Sequence, residues 1–231
     1  MWILNTQGVN LLINTFFGVT LNAARTIADQ VSGAVTRFAN SFMVAMEPQI
    51  TKTYAEGNLT AMHSLIFRGS KLTFYLMFFV ALPICLETPI LLRLWLKIVP
   101  DYAVSFARLS VIGAIMTALA NTLVKAQLAT GKIKRYEIII SLCSLWVFPL
   151  TWIAFKLGYG PLWTYIIYVI VYFLLIFVRV YLVKDFIDMK WQSYISNVMF
   201  PIVKVTISSS VVPIIVYKMM DESILRLFVI L

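Results

Sequence analysis

Asp29, Gly33, Arg37, Asn40, Val44 and Glu47 follow one another at intervals of three and four residues inside an apolar, helix-compatible run. On a helix that spacing aligns two carboxylates, a guanidinium and an amide along one stripe. Such a stripe can hold an anion at the guanidinium, exchange a cation at a carboxylate, or close its own ion pairs. It cannot face lipid, because a charge at mid-bilayer costs at least ~2.5–3.5 kcal/mol on insertion scales. The segment 22–58 is therefore read as a pathway-lining helix, turned toward a protein bundle or a wet cavity, followed by a cytoplasmic loop. Arg37 stands ten residues before Glu47-Pro48, about 15 Å by helical rise and too deep to snorkel easily. Two readings stand side by side for it: a place near a substrate or coupling site, and a structural ion pair with Asp29 or Glu47. Arg25 and Asp29, at i and i+4, can pair where the run begins.

Two further polar stripes accompany this one. Gln7, Asn10 and Asn14 lie on one face of an opening apolar segment, and Ser110, Thr117, Asn121 and Lys125 share a face further on. Asn10, Asn14, Asn40 and Asn121 join Arg37 as candidate substrate-pathway residues, and Asp29, Glu47 and Arg25 are the candidates for coupling or ion pairing. Helix-to-helix hydrogen bonds worth ~0.6 kcal/mol each are the expected account of Asn10, Ser110 and Thr117.

Other chemistry is missing from the sequence. There is no Ser-His-Asp set, no His or Cys cluster at metal-ligand spacing and no phosphate-cradling glycine loop. The single histidine, His63, falls in a basic stretch where a solvated side chain is expected. Cys85 and Cys143 sit in apolar runs with no paired spacing and are expected to be free thiols. The chain is read as a non-enzyme with no catalytic residues, no metal and no cofactor.

The elements that would carry these stripes are membrane spans. The 231 residues are 61% hydrophobic and 13% charged, with a mean hydropathy of +0.89, against ~45–50% apolar and ~25% charged in soluble domains. The net charge of +9 fits membrane topology better than nucleic-acid binding, because the basic residues cluster between apolar runs. No basic n-region or small-residue cleavage site opens the chain, so no cleavable signal is expected. With ~20 residues per crossing, segments near 2–18, 27–47, 72–92, 103–125, 137–156, 161–183 and 198–217 qualify. The fold expected is an all-α polytopic membrane protein of about seven transmembrane helices plus a truncated eighth at 224–231, where the sequence looks cut.

The connections add detail. The second span is expected to end at Pro48 and to be followed by a long basic loop to Lys71. Pro83 and Glu87-Thr88-Pro89 should kink the third span. Asp101 is an N-cap candidate for the fourth. Gly158-Tyr159-Gly160-Pro161 should join the fifth and sixth spans in a tight hairpin whose apolar, aromatic surfaces face lipid.

The residues carry a resemblance. Gly8-Val9-Asn10-Leu11-Leu12-Ile13-Asn14-Thr15-Phe16-Phe17-Gly18, Asn22-Ala23-Ala24-Arg25-Thr26-Ile27-Ala28, Phe38, Pro48-Gln49-Ile50-Thr51-Lys52-Thr53-Tyr54-Ala55, Leu94-Trp95-Leu96, Pro100 and Ala129-Thr130-Gly131-Lys132-Ile133 resemble the second half of bacterial polysaccharide exporters. These are the Wzx-type flippases of the multidrug/oligosaccharidyl-lipid/polysaccharide superfamily. The likeness covers most of 1–200 and is densest from 8 to 58. It implies one lobe and more of a two-lobe exporter of roughly twelve to fourteen helices that opens alternately to the two sides of the membrane. It further implies the bilayer, an undecaprenyl-linked oligosaccharide and an N-terminal lobe of the same protein as partners, and no nucleic acid. The setting would be the bacterial inner membrane, in surface polysaccharide or lipopolysaccharide (O-antigen) biosynthesis, with Arg37 holding the substrate's diphosphate. Two other readings are a cation-coupled multidrug exporter of that superfamily, with Asp29 as coupling acid, and a non-transporting fragment or membrane scaffold.

Charge sets the orientation. Lys52, Arg68, Lys71, Lys125, Lys132, Lys134, Arg135, Arg179, Lys184 and Lys190 fall in or beside one set of connections, and Arg25, Arg93, Lys97, Lys156 and Lys218 in the other. The positive-inside rule makes the first set cytoplasmic. Single-cysteine labels at Asn58 and Lys132 should accordingly react with an impermeant maleimide only from the cytoplasmic side, and a label at Tyr159 only from outside. Outside labelling at Lys132 reverses the orientation.

Overall fold

The computed structural model describes residues 4–223 together with Leu225, Arg226 and Val229. Every regular element among them is helical. A π-helical turn at Leu4–Gly8 leads into α1 (Val9–Phe17), and α2 (Thr20–Ala55), α3 (Leu59–Trp95), α4 (Ala103–Ala129), α5 (Ile133–Leu145) and α6 (Val147–Lys156) follow. The chain continues through α7 (Trp163–Ile187), α8 (Trp191–Tyr194), a second π-helical turn at Ile195–Met199 and α9 (Phe200–Met219). Among the described residues, five stretches are long and apolar enough to cross a membrane: Leu59–Trp95, Ala103–Ala129, Ile133–Lys156, Trp163–Ile187 and Trp191–Met219. That is compatible with a multi-pass membrane protein. The expected first span, near 2–18, contributes only the π-helical turn at Leu4–Gly8 and the short α1 among the described residues. The expected second, near 27–47, lies within α2, whose charged and hydroxyl side chains make it too polar to meet the same measure. Most of the partial span at 224–231 lies outside the described residues.

Local chemistry explains the boundaries, and corrects some of those expected. Pro48 does not end α2. The helix continues to Ala55 and stops at Gly57, which takes φ 71°, a left-handed conformation natural to glycine. Asn58 then caps α3, its Oδ1 accepting from the Ala61 N–H at 3.0 Å. His63, Arg68 and Lys71 are therefore helical and not in a loop, and His63 is half-buried with Nε2 2.7 Å from the Ile187 carbonyl. Asp101 does not cap α4: Tyr102, in the left-handed region at φ 65°, holds that position. The fifth span is divided between α5 and α6 at Trp146, because Pro149 has no N–H to offer the Leu145 carbonyl. Cys85 and Cys143 are free and half-buried, as expected.

α4 is the centre of the bundle, packed against α2, α3 and α7. Its buried Ala103, Ala107, Ala118, Ala120 and Ala126 let neighbouring backbones come close. Ala24 and Ala28 of α2 meet Ala103, Phe106 and Ala107 in one cluster, and Ser110 Oγ donates to the Ala28 carbonyl at 3.0 Å across that contact. Outward positions such as Phe79, Phe173, Phe200 and Val212 are large, apolar and exposed. Trp95, Tyr159 and Trp163 at one end of the bundle and Tyr181 and Trp191 at the other suit headgroup belts.

The expected kink in α3 is present and well secured. Glu87 leaves helical geometry at φ −98°, ψ 16°, and Pro89 cannot donate to the Cys85 carbonyl. Arg108 of α4 takes up the freed acceptors, with Nε donating to Cys85 O at 2.7 Å and Nη2 to Leu86 O at 3.1 Å. The Glu87 side chain is fully buried and receives a two-pronged contact from Arg226, 2.6 Å from Nε and 2.8 Å from Nη2. The same guanidinium donates to the Met220 carbonyl at 2.8 Å and lies over the Tyr217 ring. Removing one partner of a buried pair strands the other charge. Arg226→Met or Glu87→Met alone should cost ~3–5 kcal/mol, and the double Met variant should recover most of it. Thermal unfolding midpoints in detergent measure this, and equal losses in all three variants contradict it.

Candidate functional site

A cavity of about 680 Å³ opens among α2, α4, the start of α7 and the opening helical turns. One wall is α2, which presents Arg25, Asp29, Ser32, Thr36, Arg37 and Asn40. A second is α4, with Ser110, Ala114, Thr117, Ala118 and Asn121. α7 makes the third with Thr164, Tyr165, Tyr168 and Tyr172, and Asn5, Val9 and Val147 complete the lining. Along α2 the cavity runs from Arg25 to Asn40, about 22 Å by helical rise.

The candidate residues divide. Arg37, Asn40, Asn121, Asp29 and Arg25 all reach the cavity, as the shared stripe requires. Asn10, Asn14 and Glu47 do not line it. Asn14 lies near the end of α1, where its carbonyl accepts the Gly18 N–H at 3.1 Å. Glu47 is paired with Lys125, its Oε2 2.7 Å from Nζ; the stripe on α4 therefore closes on the stripe of α2 at that end. Arg25 Nε approaches Asp29 Oδ2 at 4.0 Å, too long for a hydrogen bond. The Asp29 side chain is 63% exposed, on the cavity. Arg37, midway along the 36-residue α2, has no ion-pair partner among the described residues, and neither Asp29 nor Glu47 reaches it.

No family model, curated protein or solved structure matches the chain. The cavity must speak through its own chemistry, which is cationic and hydroxylic on two sides and aromatic on the third.

That third side runs against the expectation that the sixth span simply faces lipid. Thr164, Tyr165, Tyr168 and Tyr172 recur at helical spacing, a signal obscured because tyrosine in an apolar helix reads equally as membrane contact. Tyr168 packs so closely on α4 that a Cβ at Gly113 would lie 2.8 Å from its Cε1. Gly33, also on the lining, has open space around it. Gly113→Ala should therefore cost ~1–3 kcal/mol by overpacking. Gly33→Ala should be neutral or gain up to ~1 kcal/mol from helix propensity. Unfolding midpoints of the two variants in detergent give the comparison, and a Gly113→Ala midpoint at or above wild type contradicts the close seat.

Proposed function

We propose that this chain is part of a flippase that moves an undecaprenyl-linked oligosaccharide from the cytoplasmic to the outer leaflet of the bacterial inner membrane, in surface polysaccharide or lipopolysaccharide biosynthesis. In this reading α1 and α2 also cross the bilayer, giving seven spans with an eighth begun at 224–231. A further lobe of the same protein faces the cavity, and the two lobes alternate between openings to either side. The sugar and diphosphate travel in the polar cavity while the prenyl chain remains in lipid.

The observation that carries the proposal is Arg37: a guanidinium at the midpoint of a long helix, on the wall of a cavity of about 680 Å³, with no ion-pair partner among the described residues and neither carboxylate of its own stripe in reach. A cation so placed is matched by water or by an anionic ligand, and the guanidinium fork fits phosphate oxygens in two-pronged fashion. The resemblance noted in the sequence supports the same class of substrate. Asp29 favours a second reading, cation-coupled multidrug export, since its carboxylate is open to the same cavity.

Arg37→Ala should lower glycan export by roughly tenfold or more, from loss of charged hydrogen bonds worth ~1.5–3 kcal/mol. Protein abundance in the membrane should be unchanged, and Arg37→Lys should retain part of the activity. Surface glycan and membrane protein are quantified in the same cells. Normal glycan with Arg37→Ala at normal abundance overturns the proposal, as does loss of the protein itself, which would make Arg37 structural.

A further inference from the structure

We infer that the groove between the last turns of α7 and the segment from α8 to Met199 is a resident-lipid site. It takes one phosphatidylethanolamine, with an acyl chain in the groove and the phosphate and ammonium of the headgroup on Lys184 and Asp185. The inference does not depend on the flippase reading, since the groove lies apart from the polar cavity.

The groove exists because the chain reverses sharply and the two helices then part. Asp188 takes φ 48°, in the left-handed region, and Lys190 is extended, so α8 begins three residues after the end of α7. Tyr194 then draws α8 toward α3, its hydroxyl donating to Ser70 Oγ at 3.2 Å. Left between α7 and residues 191–199 is a space of about 400 Å³. Ile176, Val180 and Tyr194 are buried and close its floor, while Phe177, Tyr181 and Trp191 stand exposed on its rim. Lys184 is the one charged residue on the lining.

Depth points to a lipid. Twenty-one residues separate Trp163 from Lys184, about 32 Å along the helix and close to the ~30 Å of a hydrocarbon core. With Trp163 at one surface of the bilayer, Lys184 stands at headgroup level on the other. From Lys184 the groove runs back to Ile176, about 12 Å toward the acyl layer. Its apolar walls suit an alkyl chain and its charged end a headgroup.

Charge selects the headgroup. Lys184 Nζ lies 3.9 Å from Asp185 Oδ1, beyond hydrogen-bond reach, and 4.1 Å from the centre of the Tyr181 ring. Both members of the pair remain accessible, with side chains 30% and 73% exposed. Asp188 and Lys190 are exposed beside them, so this turn carries two charges of each sign. The other cations near the end of α7 are directed to α5: Arg179 donates to the Tyr136 hydroxyl, and Lys132 lies over the Phe186 ring. An anionic headgroup would gain Lys184 but meet two carboxylates. A choline headgroup balances the charges, yet its quaternary nitrogen has no N–H for Asp185. Phosphoethanolamine supplies both halves, phosphate oxygens that accept from Lys184 and an ammonium that donates to Asp185. A polyprenyl phosphate fits the groove by its chain and fails at its head for the same reason as any anion.

Native mass spectrometry tests this on the 231-residue chain, released from detergent micelles that contain equal amounts of dioleoyl phosphatidylethanolamine, phosphatidylcholine and phosphatidylglycerol. One phosphatidylethanolamine should be retained at about three- to fivefold the level of either competitor. Asp185→Asn, at an exposed position, should level phosphatidylethanolamine with phosphatidylcholine. Met199→Trp, which fills the groove, should lower retention of all three; if that protein does not fold, Asp185→Asn carries the comparison. Equal retention of the three lipids, a preference for phosphatidylglycerol, or a preference for phosphatidylethanolamine that survives Asp185→Asn overturns the site. Displacement of the retained lipid by equimolar undecaprenyl phosphate also overturns it, and gives the groove to a prenyl chain.

Discussion

A charged side chain at bilayer depth must be matched or wetted, and that constraint organises this molecule. Lipid offers no partner, so each charge in the apolar stretches has to find one within the protein or face a space that water can enter. Arg108 is matched by two carbonyls at the break in α3, Arg226 by Glu87, Lys125 by Glu47, and Arg179 by the Tyr136 hydroxyl at 2.6 Å. Arg25, Asp29 and Arg37 instead face the cavity. The first group fastens helices together; the second defines the interior surface.

The fastening is most developed at the break in α3, where proline leaves a carbonyl free and a charged side chain from another helix takes it up. At α3 this happens from two sides, with Arg108 on α4 and Arg226 beyond α9 meeting the break near Glu87. A helix interrupted at that point would be a weak element in isolation. Held by two guanidinium groups, it becomes the place where α3, α4 and the chain after α9 are joined.

Much of this was legible in the sequence, for a definite reason. Charges within an apolar run have a readable period, so the stripe of Asp29, Arg37 and Asn40 and the stripe of Ser110, Thr117 and Asn121 could be assigned inward faces, and they meet on one cavity. The break at Glu87 beside Pro89 is legible because proline acts through its own backbone, whereas α3 runs through Pro83 with regular helical geometry. Partners distant in sequence were not: Glu87 and Arg226 are 139 positions apart, and nothing local to either announces the other. The extent of α2 past Pro48 was missed because a proline that ends one helix is tolerated in another when neighbours satisfy the freed carbonyl. The tyrosines of α7 read as lipid contacts in the sequence because an aromatic side chain in a membrane helix serves a headgroup belt, a helix contact or a ligand with the same letter.

The placement of α4 ties these strands together. Its small residues let α2 and α7 approach from either side, and the cavity is the space left where that approach is incomplete. On the α2 side the contact is tight at Ala24 and Ala28 and is reinforced by the Ser110 hydroxyl. On the α7 side Gly113 admits the Tyr168 ring. The cationic wall and the aromatic wall are therefore both packed against one helix. A change in volume at Ala114 or Ala118, which lie on the lining between them, would alter the width of the cavity while leaving its chemistry in place.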